Sequence, residues 1–233
     1  MRATFLLGVN FVRSQWIALA VMITYIVGIG GLFRSRVHPE DVLFFLRWHA
    51  GYAVFLATMM AIPALQMERK TRRILAVLSK GIYRWQYIGG LLLGCAIAAG
   101  LFCALVGGIT VWLCQEGGIQ GQGIPWVALA LFCSCVAAAA TGLFFATFLH
   151  PLLAAMATSV ALSLPFAMEG LGRSPVWQFF PVAWMFHFLL AFQLQPHGSE
   201  VGKIITAALC QTAFLWAAAS AIFARRDVTI SPE

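Results

Sequence analysis

The stretch MERKTRRILAVLSKGIYRWQYIGG, Met67–Gly90, holds six of the chain's fifteen lysines and arginines, all between Arg69 and Arg84. Almost everything on either side of it is apolar. Of the 233 residues, 61% are hydrophobic and 10% are charged, against about 25% charged in an ordinary soluble domain. Mean hydropathy is +0.88. A soluble chain of this size has too little interior to hide that much apolar surface. Lipid is therefore the main solvent, and the basic stretch reads as an aqueous loop between membrane spans.

Working outward from that loop, charge-free runs mark the spans, because a crossing helix needs about 20 apolar residues. Twenty uncharged residues separate Arg13 from Arg34, and twenty separate Arg47 from Glu68. Thirty-one run from Trp85 to Gln115, and twenty-one from Ile204 to Ala224. The fifty-two from Gly117 to Met168 are enough for two crossings. His150-Pro151 divides them, since proline lacks a backbone donor and favours a break. The runs predict an all-α membrane protein with six transmembrane helices, near 15–33, 47–66, 87–113, 125–148, 152–169 and 203–224. Residues 1–233 form one transmembrane domain on this reading.

Residues 171–202 do not fit a seventh crossing. Pro175, Pro181 and Pro196 cut them, and the longest piece, VAWMFHFLLAFQLQ, has fourteen residues. That length suits a re-entrant or interfacial helix between spans five and six. Residues 1–14 are also too short for a span. Phe5, Val9 and Val12 share a helical face between Arg2 and Arg13, which predicts an amphipathic helix lying in the interface.

Lysines and arginines in short loops set the orientation. With six spans, one side holds Arg2, Arg13, the six of the basic stretch, Arg225 and Arg226. The other side holds Arg34, Arg36, Arg47, Arg173 and Lys203. Ten against five places both termini and the basic loop in the cytoplasm. No nucleic-acid recognition module surrounds the basic residues, so the net charge of +7 is a topology signal and nucleic acid is not expected as a partner.

Anchoring alone needs only two or three of these charges. Within residues 67–86, Ile74, Leu75, Leu78 and Ile82 recur at helical spacing, while Arg72, Lys80 and Arg84 fall mostly on other faces. Gly81 ends the pattern, and Tyr83, Trp85 and Tyr87 follow as interfacial aromatics. A short amphipathic helix between spans two and three is expected to dock something soluble.

These residues resemble the corresponding loop in permease subunits of type-2 ABC exporters. The shared features are Glu68-Arg69, a helix over Ile74–Ser79, the turn Lys80-Gly81, Arg84-Trp85 and the glycine-rich Gly89-Gly90-Leu91. The closing FARRDVTI, Phe223–Ile230, is similar to the Arg-Arg-Asp that follows the last span in that family. The chain departs from many relatives at Gly81-Ile82, where they have proline in the turn, and at Gly89-Gly90, where they have Gly-Lys.

The resemblance implies a permease in a prokaryotic inner membrane that forms half of an export pathway. A second permease subunit, identical or paralogous, would supply the other half. A separate ATP-binding cassette subunit would hold ATP and magnesium, since this chain has no GxxxxGK[ST] phosphate loop and no expected cofactor. The residues expected to couple the two are Glu68, Arg69, Lys70, Arg72, Arg73, Ile74, Leu75, Leu78, Lys80 and Arg84.

Possible pathway or gate residues are His49, Glu169, Trp177, Phe180, Trp184 and His187. Each has a plainer reading: Glu169 as a span-end acid, the histidines as packed side chains, and the aromatics as an interfacial belt. Arg47 is expected to snorkel to the headgroups. Gly90 and Gly94 are spaced for close helix packing. The six cysteines read as small packing residues, and Cys133 and Cys135 lie about 200° apart on a helix, too divergent for one metal ion. Neither HExxH nor GxSxG occurs, so an intramembrane hydrolase is disfavoured. The alternative to transport is a non-transporting membrane subunit that anchors a cytoplasmic or envelope complex.

Overall fold

The computed structural model describes residues 2–34, 38–70, 83–170, 179–192, 194 and 198–225; for residues 2, 3, 18, 68–70, 169 and 170 this is the backbone alone. The described residues form helices and no strand: α1 (Arg2–Ser14), α2 (Trp16–Phe33), α3 (Pro39–Lys70), α4 (Arg84–Glu116), α5 (Ile124–Ala146), α6 (Pro151–Gly170), α7 (Pro181–Ala191) and α8 (Gly198–Arg225). Five of them, α3, α4, α5, α6 and α8, are long and apolar enough to cross a membrane. A sixth crossing arises only if α1 and α2, bent by 65° from each other, count together. The sequence reading treats residues 15–33 as a span in their own right. Eighteen residues rise only about 27 Å, slightly less than the ~30 Å hydrocarbon.

Local chemistry explains where the long helices start and stop. Pro39 opens α3 with its φ already helical, and Glu40 and Asp41 in the first turn complement the helix dipole. These residues extend the helix eight positions ahead of the predicted span. The α4 helix ends at Gly118, whose φ of +63° permits the left-handed turn that returns the Ile119 N–H to the Cys114 carbonyl at 2.8 Å. The break between α5 and α6 falls at residues 147–150, where Pro151 starts the new helix.

The α5 helix is the centre of the bundle. It packs against α3, α4, α6, α7 and α8, and 72% of its apolar window is buried. Small residues let the neighbours approach: a Cβ on Gly107 of α4 would lie 2.8 Å from Ala128 of α5. The α6 and α8 windows are each only 17% buried, so those helices present most of their apolar surface outward. The cysteines are mostly core packing, as expected, but Cys210 is exposed on α8.

Contacts fix the directions. Arg34 of α2 pairs with Glu116 of α4 at 3.7 Å, so those two helices run parallel. Arg84 at the start of α4 touches the end of α8, so these run antiparallel. Lys70, Arg84 and Arg225 accordingly mark one end of the bundle, called the basic end below.

Candidate functional site

Of the residues expected to couple to a partner, Glu68, Arg69 and Lys70 are the last three of α3. Arg72, Arg73, Ile74, Leu75, Leu78 and Lys80, with the predicted docking helix, lie outside the described residues. What the structure does describe is the receiving end. The α4 helix begins at Arg84, directly after the basic stretch, and Gln86 Oε1 accepts the Tyr83 N–H at 3.3 Å on its first turn.

The first three turns of α4 seat two other helices. On one side lies the end of α8. Arg84 Nη1 donates to the carbonyls of Phe223 and Ala224 at 3.0 and 2.9 Å. The last four carbonyls of a helix have no intrahelical donor, and a guanidinium satisfies them while complementing the dipole's negative end. Its carbon also lies 5.9 Å from the Phe223 ring centre. One turn further, Tyr87 is fully buried and stacked on Phe223 at 6.1 Å. Trp85 meets Trp216 edge to face at 6.0 Å. The two motifs behind the sequence resemblance, Arg84-Trp85 and Phe223-Ala224-Arg225, are thus in contact across about 140 residues of chain.

On the other side lies α1. A Cβ on Gly90 would come within 2.9 Å of Leu7 Cβ and 3.2 Å of the Thr4 carbonyl. One on Gly94 would lie 2.6 Å from Phe11 Cδ1 and 3.1 Å from the Gly8 carbonyl. The Gly90/Gly94 step is therefore occupied within the chain, by the Thr4-Leu7-Gly8-Phe11 face of α1. The face predicted to be sequestered is not the one that packs: Phe5 and Val9 are exposed, with Leu6, and only Val12 is partly buried against the core. Apolar residues occur on both sides of α1, and only the side with Gly8 can approach a glycine-lined helix.

The proposed gate residues do not converge. His49 is buried in α3, with its Nδ1–H donating to the Phe45 carbonyl at 2.7 Å, and it faces Tyr25 of α2 and Tyr52 at ring distances of 6.0 and 6.3 Å. His187 of α7 stacks on Phe166 of α6 at 5.9 Å. Trp184 is partly buried against the core, and Phe180 is the N-cap of α7. Glu169 is the penultimate residue of α6, described in its backbone only, and Trp177 lies outside the described residues.

Sequence reasoning missed what holds α7. Eleven residues are too few to cross, and this helix lies along α5, α6, α8 and α3. Ser134 of α5 reaches the Pro181 carbonyl at 3.4 Å, which places the first turn beside the middle of α5. At the other end Arg47 of α3 donates through Nε to the Leu189 carbonyl and through Nη2 to that of Leu190, both at 2.9 Å. Arg47 therefore does not snorkel to headgroups. Four orphan carbonyls on a short apolar helix outbid water and lipid phosphate when the donor sits beside them. The available signal was a capless helix, PVAWMFHFLLA, with no basic residue of its own in the last turn.

Arg47→Leu is expected to release the end of α7 while the rest of the bundle persists. Two charge-assisted hydrogen bonds contribute about 1.5–3 kcal/mol together. Faster limited proteolysis within residues 189–198, with a nearly unchanged bundle melting temperature, is the expected result; an unaltered cleavage pattern would show that the cap is dispensable.

Basic charge, apolar anchors and a helix pair clasped by one arginine form a mechanical junction, with no reactive group in it. Among the described residues no group of three histidines, cysteines or acids is placed to hold a metal. Scanned against protein-family models the chain matches none, and a search of curated protein sequences likewise finds no match.

Proposed function

We propose that the chain is the membrane permease subunit of an ATP-driven exporter of the ABC type-2 kind, working as half of a translocation pathway. A second permease subunit completes the path. A separate cytoplasmic ATPase subunit docks on residues 67–86 and drives the change of state. The observation that carries this reading is the seating of both α1 and α8 on the first three turns of α4, immediately after the basic stretch. Force on the stretch reaches α4 first and then, through Arg84, Tyr87, Gly90 and Gly94, the helices at two other faces of the bundle. A coupling element must act on an arrangement that has two states, and a hub of three helices at the basic end meets that need.

The wide outward exposure of α6 and α8 supports a second membrane subunit alongside lipid as neighbours. The amphipathic pattern of Ile74, Leu75 and Leu78, with Arg72 and Arg73 at its rim, suits a groove with acidic edges on the ATPase.

The test is purification of the tagged chain from its host, beside an Arg72→Glu/Arg73→Glu variant. A soluble ATP-binding protein is expected in stoichiometric amount with the first and lost from the second, while membrane insertion is equal for both. Recovery of the chain with other envelope proteins and no ATPase would instead support the anchoring role. Retention of the ATPase by the double variant would remove the basic stretch from the mechanism.

A further inference from the structure

The buried end of α7 meets a polar group from a crossing helix. Phe180, Val182 and Ala183 enclose, with Thr141 of α5, Ala161 of α6 and Gln211 of α8, a cavity of about 40 Å³. Thr141 lies seventeen residues into α5 and Gln211 thirteen residues into α8, so the cavity sits roughly 20–25 Å along each helix, far from the ends nearest α7's Arg47 cap. Gln211 Nε2 makes a long contact to Thr141 Oγ1, 3.5 Å, while the Thr141 hydroxyl donates to the Ala137 carbonyl at 2.9 Å. Gln211 Oε1 is fully buried and has no partner among the described residues. Turning the amide over exchanges its two ends but still leaves one of them unmatched.

The first turn of α7 brings donors to the same place. Pro181 has no N–H, and the amides of Val182 and Ala183 have no acceptor within the helix. Phe180 offers no side-chain cap. A buried acceptor and buried amides therefore line one small space, each with an unmet hydrogen bond in an apolar setting where that is unfavourable.

We propose that this cavity is a hydration site for a single water molecule. The water accepts from the first-turn amides of α7 and donates to Gln211 Oε1, so that α7 is joined to α8 through solvent while its far end is joined to α3 directly by Arg47. Size decides the ligand. A water needs about 10–15 Å³ of such volume and two to four polar partners, and both conditions are met. A carboxylate or phosphate group, for which a buried helix N-terminus would also be suited, does not fit in 40 Å³ once its own heavy atoms are counted. A bridging water re-forms its bonds after a small displacement, which makes the buried end of α7 the end that can shift against α8. The site stands on this geometry alone and is independent of the permease reading.

Water-edited solid-state NMR of the full chain in lipid bilayers tests it directly. Magnetisation from water is expected to reach the Val182 and Ala183 amides and the Gln211 side-chain amide within a few milliseconds, while the amides of Ala138 and Ala139, buried in α5, stay dark. Equal darkness at all of these positions would overturn the proposal. Gln211→Met gives a second readout of opposite sign. If the water is present, losing its acceptor lowers the melting temperature in detergent by about 2–4 °C. If the cavity is dry, the same change removes an unmatched acceptor and raises the melting temperature, which also overturns the proposal.

Discussion

Arg84→Leu is expected to lower the stability of the solubilised chain by about 3 kcal/mol, read as a fall of roughly 6–12 °C in melting temperature for a chain of this size. Three contributions are lost together. Two hydrogen bonds to the Phe223 and Ala224 carbonyls disappear, and those carbonyls are left without the donor that closed α8. The charge that complemented the α8 dipole goes as well. So does the contact over the Phe223 ring, worth about 0.5–1 kcal/mol at a partly exposed site. Arg84→Lys separates these terms. Lysine keeps the charge but presents a single ammonium in place of the planar fork, and it should recover about half of the loss. The companion expectation is local: hydrogen exchange should rise in the last two turns of α8 and stay unchanged in α5. If Arg84→Leu melts like the parent chain, the clasp between α4 and α8 contributes nothing to stability and the junction is held by Tyr87 and Trp85 alone.

How far this architecture was legible beforehand depends on the range of each interaction. The helical class, the long apolar spans and the break at Pro151 follow from composition, charge-free runs and a missing backbone donor, all local properties. The short α7 was readable from three prolines and a fourteen-residue apolar run. Residues 15–33 were less so, because a hydrophobic run does not reveal that the helix bends 65° from its predecessor.

The site was harder still. Arg47 and Arg84 do the same work at two places, each closing a helix that begins or ends about 140 residues away, and neither sequence neighbourhood contains the carbonyls concerned. Composition flagged both as charges near span ends, for which a lipid headgroup is the ordinary partner. Gln211 went unremarked because a single neutral amide in a long apolar helix alters no count or period. It becomes informative only once α7 is seen to bring its first turn against it. His49 illustrates the converse: an intramembrane histidine invites a functional role, yet its Nδ1–H is taken by its own helix and its ring by aromatic neighbours.

Gly94→Leu is expected to detach α1 from the bundle. The glycine is buried, and even a methyl group there would meet Phe11 Cδ1 at 2.6 Å and the Gly8 carbonyl at 3.1 Å. The ring can turn aside, but the carbonyl belongs to the α1 backbone and can move only with the helix. Replacing glycine in a helix interior by a better helix former gains about 0.8 kcal/mol. Forcing three further carbon atoms into a close-packed crossing costs more, about 1–3 kcal/mol before the buried Phe11 ring is lost, and exposing that ring adds a further ~2 kcal/mol. The balance favours separation of α1 and α4. A cysteine placed at Phe11, which is buried in the parent, should react with a membrane-impermeant maleimide in the Gly94→Leu background and remain slow with Gly94 intact. Gly94→Ala should show an intermediate rate, since the ring alone can accommodate part of the first methyl. Rapid labelling with Gly94 intact would mean that α1 leaves its seat readily, and the path from the basic stretch through α4 would then end at α8.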